Sequence, residues 1–393
     1  MLSVDTTSFF MIVLAAAVAA AIVGLGGARV IVPVVVLELV FGILIGPQVL
    51  GLAESGPFID FFSSLGLGML FFFAGYEIDF DRIKGAPLRL ALIGWAISLG
   101  LAYAIGGVLA VVGIVISLLY TGSALATTAI GTLIPILGDA GELKTRFGTY
   151  LLAAGAIGEF GPILLITLVF STGNPLSSGL LLVGFVIIAV LAALVAIRGV
   201  NFGWSAFERT LETSAQLPVR TAVVLVFLLA GLAADLGLDL LLGGFVAGII
   251  TRTALGGREV GVLESKLSAV GYGFLIPFFF VVSGIEFELD ALLEDPAKAV
   301  KVPIFLLAFL IVRGVPALLL YVKELDLRDR VALAFFSATE LPLVVAITTI
   351  AVDAGEMRAS TAASLVGAAV LSTAIYPLVG LRLRGSRAMP EGA

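Results

Sequence analysis

The chain has 393 residues, of which 60% are hydrophobic and only 13% charged, with a net charge of −6. A soluble domain carries about 25% charged residues, so this composition and a mean hydropathy of +1.19 exclude a soluble enzyme with an ordinary polar surface and indicate a polytopic membrane protein. Cys and His are both absent, which removes disulfides, thiol chemistry, Cys/His zinc sites, His-ligated haem and Ser–His triads.

A spanning helix needs roughly 20 mostly apolar residues. In chain order such stretches fall at 9–28, 30–46, 58–76, 87–112, 115–137, 147–171, 178–197, 218–235, 237–254, 268–286, 299–322, 330–351 and 360–382, thirteen in all. The first has no basic segment before it and runs on into further spans, so it reads as a span and not a cleaved leader. Connections are short, and no soluble domain is expected at either end. With the N-terminus outside, 18 of the 22 basic residues fall in inside segments; Lys298, Lys301 and Arg358 fall outside, and Arg313 lies within a span. That bias is the positive-inside rule, and it predicts an outside N-terminus and a cytoplasmic C-terminus.

Four charged residues sit at membrane depth. Each costs ~2.5–3.5 kcal/mol at a helix centre even on the lenient insertion scale, so each carries functional weight. Glu38, in the second span, precedes Gly46-Pro47 and lines an entry path or caps a helix end. Glu159 lies in Ala153-Ala-Gly-Ala-Ile-Gly-Glu-Phe-Gly-Pro, where small neighbours let a backbone or a hydrated cavity approach. A carboxyl group there suits exchange of a proton for a cation; the bland reading is a glutamic acid bonded to a neighbouring helix. Arg313, in the eleventh span, keeps its charge and either neutralises a carboxylate or holds a helix end. Glu340 lies in Phe335-Phe-Ser-Ala-Thr-Glu-Leu-Pro, where Pro342 lacks a backbone donor and is expected to interrupt the helix. Freed carbonyls beside this acid suit a small cation; the competing reading is a structural ion pair with Arg313. In the fifth span Thr127 and Thr128 offer hydroxyl and carbonyl oxygens for a hard cation, although Thr in membrane helices often bonds only its own backbone. Spans five and six also loosely resemble spans twelve and thirteen, as inverted repeats with a central site would.

Several stretches together resemble the second monovalent cation:proton antiporter family, the Kef/NapA-like sodium(potassium)/proton exchangers. They are Glu38-Leu-Val-Phe-Gly-Ile-Leu-Ile-Gly-Pro-Gln-Val-Leu-Gly-Leu, Phe71-Phe-Phe-Ala-Gly-Tyr-Glu-Ile-Asp-Phe-Asp, Gly141-Glu-Leu-Lys-Thr-Arg-Phe-Gly, Pro277-Phe-Phe-Phe-Val-Val-Ser-Gly-Ile-Glu-Phe and Val312-Arg-Gly-Val-Pro-Ala. The likeness runs over about residues 28–380. It implies an all-α membrane protein of thirteen helices with the NhaA/NapA-like inverted-repeat fold, one transporter unit over 1–393. It further implies a dimerisation part at about 9–76 and 218–286, a linker helix at about 178–197, and an ion-translocating core at about 87–171 and 299–382. Two broken helices, spans five and twelve, cross in that core. The resemblance maps the family's ion-binding acid onto Glu159, its Thr pair onto Thr127 and Thr128, its span-eleven base onto Arg313 and its span-twelve acid onto Glu340. Two departures stand out: the site acid is Glu, not Asp, and Gly158 replaces the Asp, Asn or Gln that precedes it.

The expected function is alternating-access exchange of Na⁺ or K⁺ for H⁺, electroneutral because one acid serves both ions. Glu159 is the shared proton and metal-ion site, completed by Thr127 and Thr128. Glu340 and Arg313 support the crossing, while Glu38, Gly158, Ser337 and Thr339 lie along the pathway. The resemblance implies a homodimer in the cell (inner) membrane, with no cofactor and no nucleic-acid partner; the cytosolic nucleotide-binding domain that Kef-type potassium systems carry is not read in this chain, so ligand gating of that kind is not expected. Alternatives are a sodium-coupled organic anion symporter, which would need basic or hydroxyl groups for its anion, and a non-transporting sensor on the same fold. An intramembrane protease would need paired deep Asp residues or His.

Overall fold

The computed structural model describes residues 5–26, 33–78, 80–169, 175–236, 240–256, 261–287, 289–290 and 300–385. Among the described residues there is no strand. The helices are α1 (Thr6–Gly26), α2 (Val34–Ile45), α3 (Pro57–Tyr76), α4 (Ala86–Val111), α5 (Leu118–Leu125), α6 (Ile130–Asp139), α7 (Arg146–Val169), α8 (Pro175–Leu211), α9 (Leu217–Asp235) and α10 (Leu240–Leu255). After them come α11 (Gly261–Ile285), α12 (Lys301–Leu320), α13 (Leu327–Ser337), α14 (Pro342–Asp353) and α15 (Ala359–Arg384). Among the described residues, ten helical stretches are long and apolar enough to cross a membrane, and three shorter apolar ones accompany them. The chain is a multi-pass membrane protein.

Each predicted stretch coincides with helix, with instructive differences. The predicted ends at 28, 30–32, 170–171, 237–239 and 299 lie outside the described residues. The seventh stretch, expected at 178–197, belongs to a 37-residue helix. No Pro falls between Pro175 and Pro218, so nothing stops the helix where its apolar run ends. At 1.5 Å per residue it is about 55 Å long. The tenth stretch, expected from 268, starts at Gly261 and contains one π-helical turn at Gly271–Leu275, where two glycines let the helix widen.

The fold divides into two compact units. The first comprises Met1–Ala16, Ser55–Asp79 and Ile163–Val282. Here α3 packs against α10 through glycines: Gly244 lies 2.6 Å, measured from where its Cβ would stand, from the Gly68 carbonyl, and Gly75 and Gly248 meet the carbonyls of Phe245 and Phe72. Gly244 and Gly248 are one helical turn apart, the small-residue spacing that lets membrane helices approach closely. Phe9 meets Phe62 edge-to-face and Phe278 at a tilt, at ring separations of 5.3 and 5.2 Å. Helix α8 presents Val183, Val186, Ile187, Val190 and Leu191 outward, and only 11% of its apolar stretch is buried. Such a helix faces lipid.

The second unit comprises Ala17–Glu54, Phe80–Pro162 and Ser283–Ala393. Its centre is the pair α13–α14, 78% buried. Ile130, Leu133 and Leu137 of α6, Phe147 and Leu151 of α7, and Leu333 and Phe336 of α13 form one packed cluster with Tyr321. Both the fifth and the twelfth predicted stretches are broken here, α5 from α6 at 126–129 and α13 from α14 at 338–341.

Candidate ion-exchange site

The two breaks are bonded to each other. The Ala129 amide donates to the Thr339 carbonyl at 2.8 Å. On the other side the Thr128 amide donates to the Gly158 carbonyl of α7 at 3.0 Å, and the Trp95 indole donates to the Ala126 carbonyl at 3.1 Å. These bonds satisfy backbone groups that a break inside a membrane would otherwise leave unpaired. The twelfth-span break follows from Pro342, which opens α14 and cannot donate to the preceding turn.

Glu159 projects from α7 into this crossing and is 1% exposed. Its carboxyl group faces the amides of Ile130 and Gly131, the first turn of α6, where the helix dipole favours an anion. Its Oε2 has no hydrogen-bond partner among the described residues. At the same crossing, the Thr127 hydroxyl contacts both the Ala124 carbonyl and Glu340 Oε2. The Thr128 hydroxyl lies 2.9 Å from the Thr127 carbonyl and 2.5 Å from that of Ser337.

Arg313, 5% exposed, is bonded on four sides. Its Nε donates to Thr128 Oγ1 at 2.9 Å and to the Ser337 carbonyl at 3.4 Å, Nη1 to Ser98 Oγ at 3.1 Å, and Nη2 to the Ala154 carbonyl at 3.1 Å. It therefore ties together α4, the fifth-span break, α7 and the C-terminal end of α13. Glu340 is within Coulombic reach of Arg313 but is not one of its hydrogen-bond partners. A cavity of about 10 Å³, lined by Trp95, Ser98, Arg313, Tyr321 and Ser337, has room for about one water.

The structure thus brings together Thr127, Thr128, Gly158, Glu159, Arg313, Ser337, Thr339 and Glu340. Glu38 makes none of these contacts; it is buried in α2, and its Oε2 has no partner among the described residues. Sequence reasoning missed Ser98, Ser372 and Thr373. Ser372 Oγ accepts from the Glu340 amide at 2.9 Å, and Thr373 Oγ1 donates to the Glu340 carbonyl at 2.9 Å. Adjacent hydroxyls in an otherwise small, apolar helix were the available signal.

The sequence profile of the family described as sodium/hydrogen exchanger, transmembrane, matches residues 13–380. The chain belongs to that family. Sodium/hydrogen exchangers are transporters rather than enzymes. Among relatives, YjbQ of Bacillus subtilis is 28% identical over 379 residues, covering 92% of this chain and 60% of that protein. The Na(+)/H(+)-K(+) antiporter GerN of Bacillus cereus is 26% identical over 66% of this chain and 67% of its own length. The Na(+)/H(+) antiporter NhaS4 of Synechocystis is 27% identical over 70% of this chain and 72% of its own. The chain thus spans about 60% of the length of YjbQ. The solved structure of the sodium proton antiporter MjNhaP1 from Methanocaldococcus jannaschii matches with a TM-score of 0.65 at 18% identity, covering 96% of this chain and 95% of that one. That likeness establishes the exchanger fold.

Proposed function

We propose that this exchanger-family chain swaps one monovalent cation, Na⁺ or K⁺, for one proton across the membrane, with Glu159 as the shared site. The observation that carries the reading is a buried carboxyl group with a free oxygen, set against the amide end of a half-helix where two broken helices meet. An ionised Glu159 there takes a cation, with oxygens of Thr127 and Thr128 beside it; a protonated one cannot. Competition for one group couples the two fluxes. One acid for both ions makes the exchange electroneutral, and no cofactor is needed.

The wider arrangement follows the same reading: thirteen spans in the cell (inner) membrane, N-terminus outside and C-terminus cytoplasmic. A homodimer forms through about 9–76 and 218–286, linked by 178–197 to a moving core at about 87–171 and 299–382. The Kef/NapA-like motifs support this subtype. An organic anion substrate is disfavoured, because Arg313, the basic residue at the crossing, points its donors at protein acceptors. Proton-coupled cation flux in proteoliposomes tests the proposal. The wild-type chain should alkalinise or acidify the lumen on a Na⁺ or K⁺ gradient, and Glu159→Gln should abolish that signal. Undiminished exchange by the variant would reject the assignment.

A further inference from the structure

Glu340 is buried completely, and its main chain is held on both sides. Its amide reaches Ser372 Oγ, and its carbonyl accepts from Thr373 Oγ1. One carboxyl oxygen, Oε2, contacts the Thr127 hydroxyl. The other, Oε1, has no hydrogen-bond partner among the described residues. Leaving a buried polar oxygen unpaired is costly, and native structures contain few such atoms.

The chain holds its own control for what a scaffold carboxylate looks like. Glu142, also completely buried, receives Arg384 on both oxygens, at 2.8 and 2.9 Å. Were Glu340 there to anchor Arg313, the same pairing would be expected. Instead Arg313 is bonded to Thr128, Ser98 and two carbonyls, so the guanidinium is satisfied without it. Glu340 Oε1 is thus a fixed, buried oxygen that the scaffold does not use. It lies within Coulombic reach of Glu159, whose Oε2 is likewise unpaired.

Resting on the exchange reading, we propose that Glu340 is a cation ligand of the crossing that also holds Glu159, offering Oε1 while Oε2 meets the Thr127 hydroxyl. Hard cations take oxygen donors, and carboxyl, hydroxyl and carbonyl oxygens are what the two breaks present. The charge count selects a monovalent ion. Two carboxylates and one fixed guanidinium at the crossing sum to one negative charge, which one Na⁺, one K⁺ or one proton neutralises. Electroneutral exchange survives, and the choice between cations is set jointly by the two acids.

The test follows cation binding apart from transport. Purified wild-type and Glu340→Gln proteins are titrated with NaCl and KCl against choline chloride, reading the thermal midpoint, and the KM for each cation is measured in proteoliposomes. The glutamine is nearly isosteric, so the midpoint in choline should hold. The half-saturating cation concentration should rise about tenfold in both assays. Unchanged half-saturation overturns the proposal. Should the glutamine variant fail to fold, Glu340→Asp, which keeps the charge but draws the oxygen back by one methylene, should change the Na⁺/K⁺ preference; an unchanged ratio also overturns it. The two readings fail separately. Wild-type protein that is stabilised by cations but moves no protons sinks the exchange and leaves the Glu340 ligand standing.

Discussion

Gly158 and Arg313 share one small space: a Cβ on residue 158 would stand 2.5 Å from Arg313 Nη2 and 2.8 Å from Thr128 Oγ1. The resemblance puts Asp, Asn or Gln at this position, and here the guanidinium lies where that side chain would begin. The missing carboxylate and the four neutral acceptors around Arg313 are two sides of one arrangement. With no acid at 158 to pair with, the arginine is satisfied by hydroxyls and carbonyls, and the helix has lost its side chain to make room.

Gly158→Ala should therefore be costly even though Ala favours helix. Relieving the contact means moving a guanidinium that is bonded to three side-chain or backbone partners besides Thr128. Overpacking of this kind costs about 1–3 kcal/mol, and the displaced Thr128 hydroxyl borders the exchange site. We expect a lower thermal midpoint and slower exchange. Gly100→Ala is the control: nothing lies within 4 Å of its Cβ position, so its midpoint should hold or rise with the helix propensity of Ala and its exchange rate should stay unchanged. Equal effects of the two substitutions would remove the steric argument.

Much of this was legible in the sequence, and the exceptions have physical causes. Hydropathy alone located the spans, because lipid tolerates little else. Pro342 announced the break in the twelfth span. The fifth-span break has no such sign in Ser123-Ala-Leu-Ala-Thr-Thr-Ala-Ile-Gly; only the family resemblance suggested it. It is held open by distant partners, namely the carbonyls of Gly158 and Thr339 and the Trp95 indole, and tertiary bonds leave no local trace. The partners of Arg313 were hidden for the same reason. Ser98 is a lone hydroxyl in an apolar helix, and a carbonyl such as Ala154's belongs to every residue. The apolar stretch expected at 178–197 agrees with the spanning part of α8, and the helix runs past it because hydropathy marks where lipid ends, whereas a helix ends only where something breaks it.

Stability should depend on pH through Glu77, which follows α3 in the first unit. Burial, and then the negative charge of Glu264, push its carboxyl up to about 7, with Arg252 opposing. Between about 4.5 and 7 the folded protein holds a proton that the unfolded chain releases, so stability falls as pH rises through that window and levels off above it. The loss is on the order of 3 kcal/mol at most. Glu77→Gln removes the titration. Its thermal midpoint should match wild type near pH 4.5 and exceed it at pH 8. A wild-type midpoint that stays level from pH 5 to 8, with no gain in the variant, would dismiss the effect.

Three elements of the second unit are fastened together by one buried arginine. Arg384, at the end of α15, grips Glu142 with two bonds, reaches Asp329 at 2.6 Å and lies 4.4 Å from the centre of the Phe147 ring. Glu142 precedes α7, which carries Glu159, and Asp329 is in the first turn of α13. Removing one partner of a buried pair leaves an uncompensated charge, at about 3–5 kcal/mol. Arg384→Ala should therefore lower the thermal midpoint sharply. Glu142→Gln with Arg384→Ala should recover part of the loss, because no bare charge then remains at position 142, and the coupling is read from a double-mutant cycle. Cation KM should stay near wild type in whatever protein folds, since none of these groups touches the crossing. Additive losses in the cycle would mean that Glu142 and Arg384 are stabilised by something other than each other.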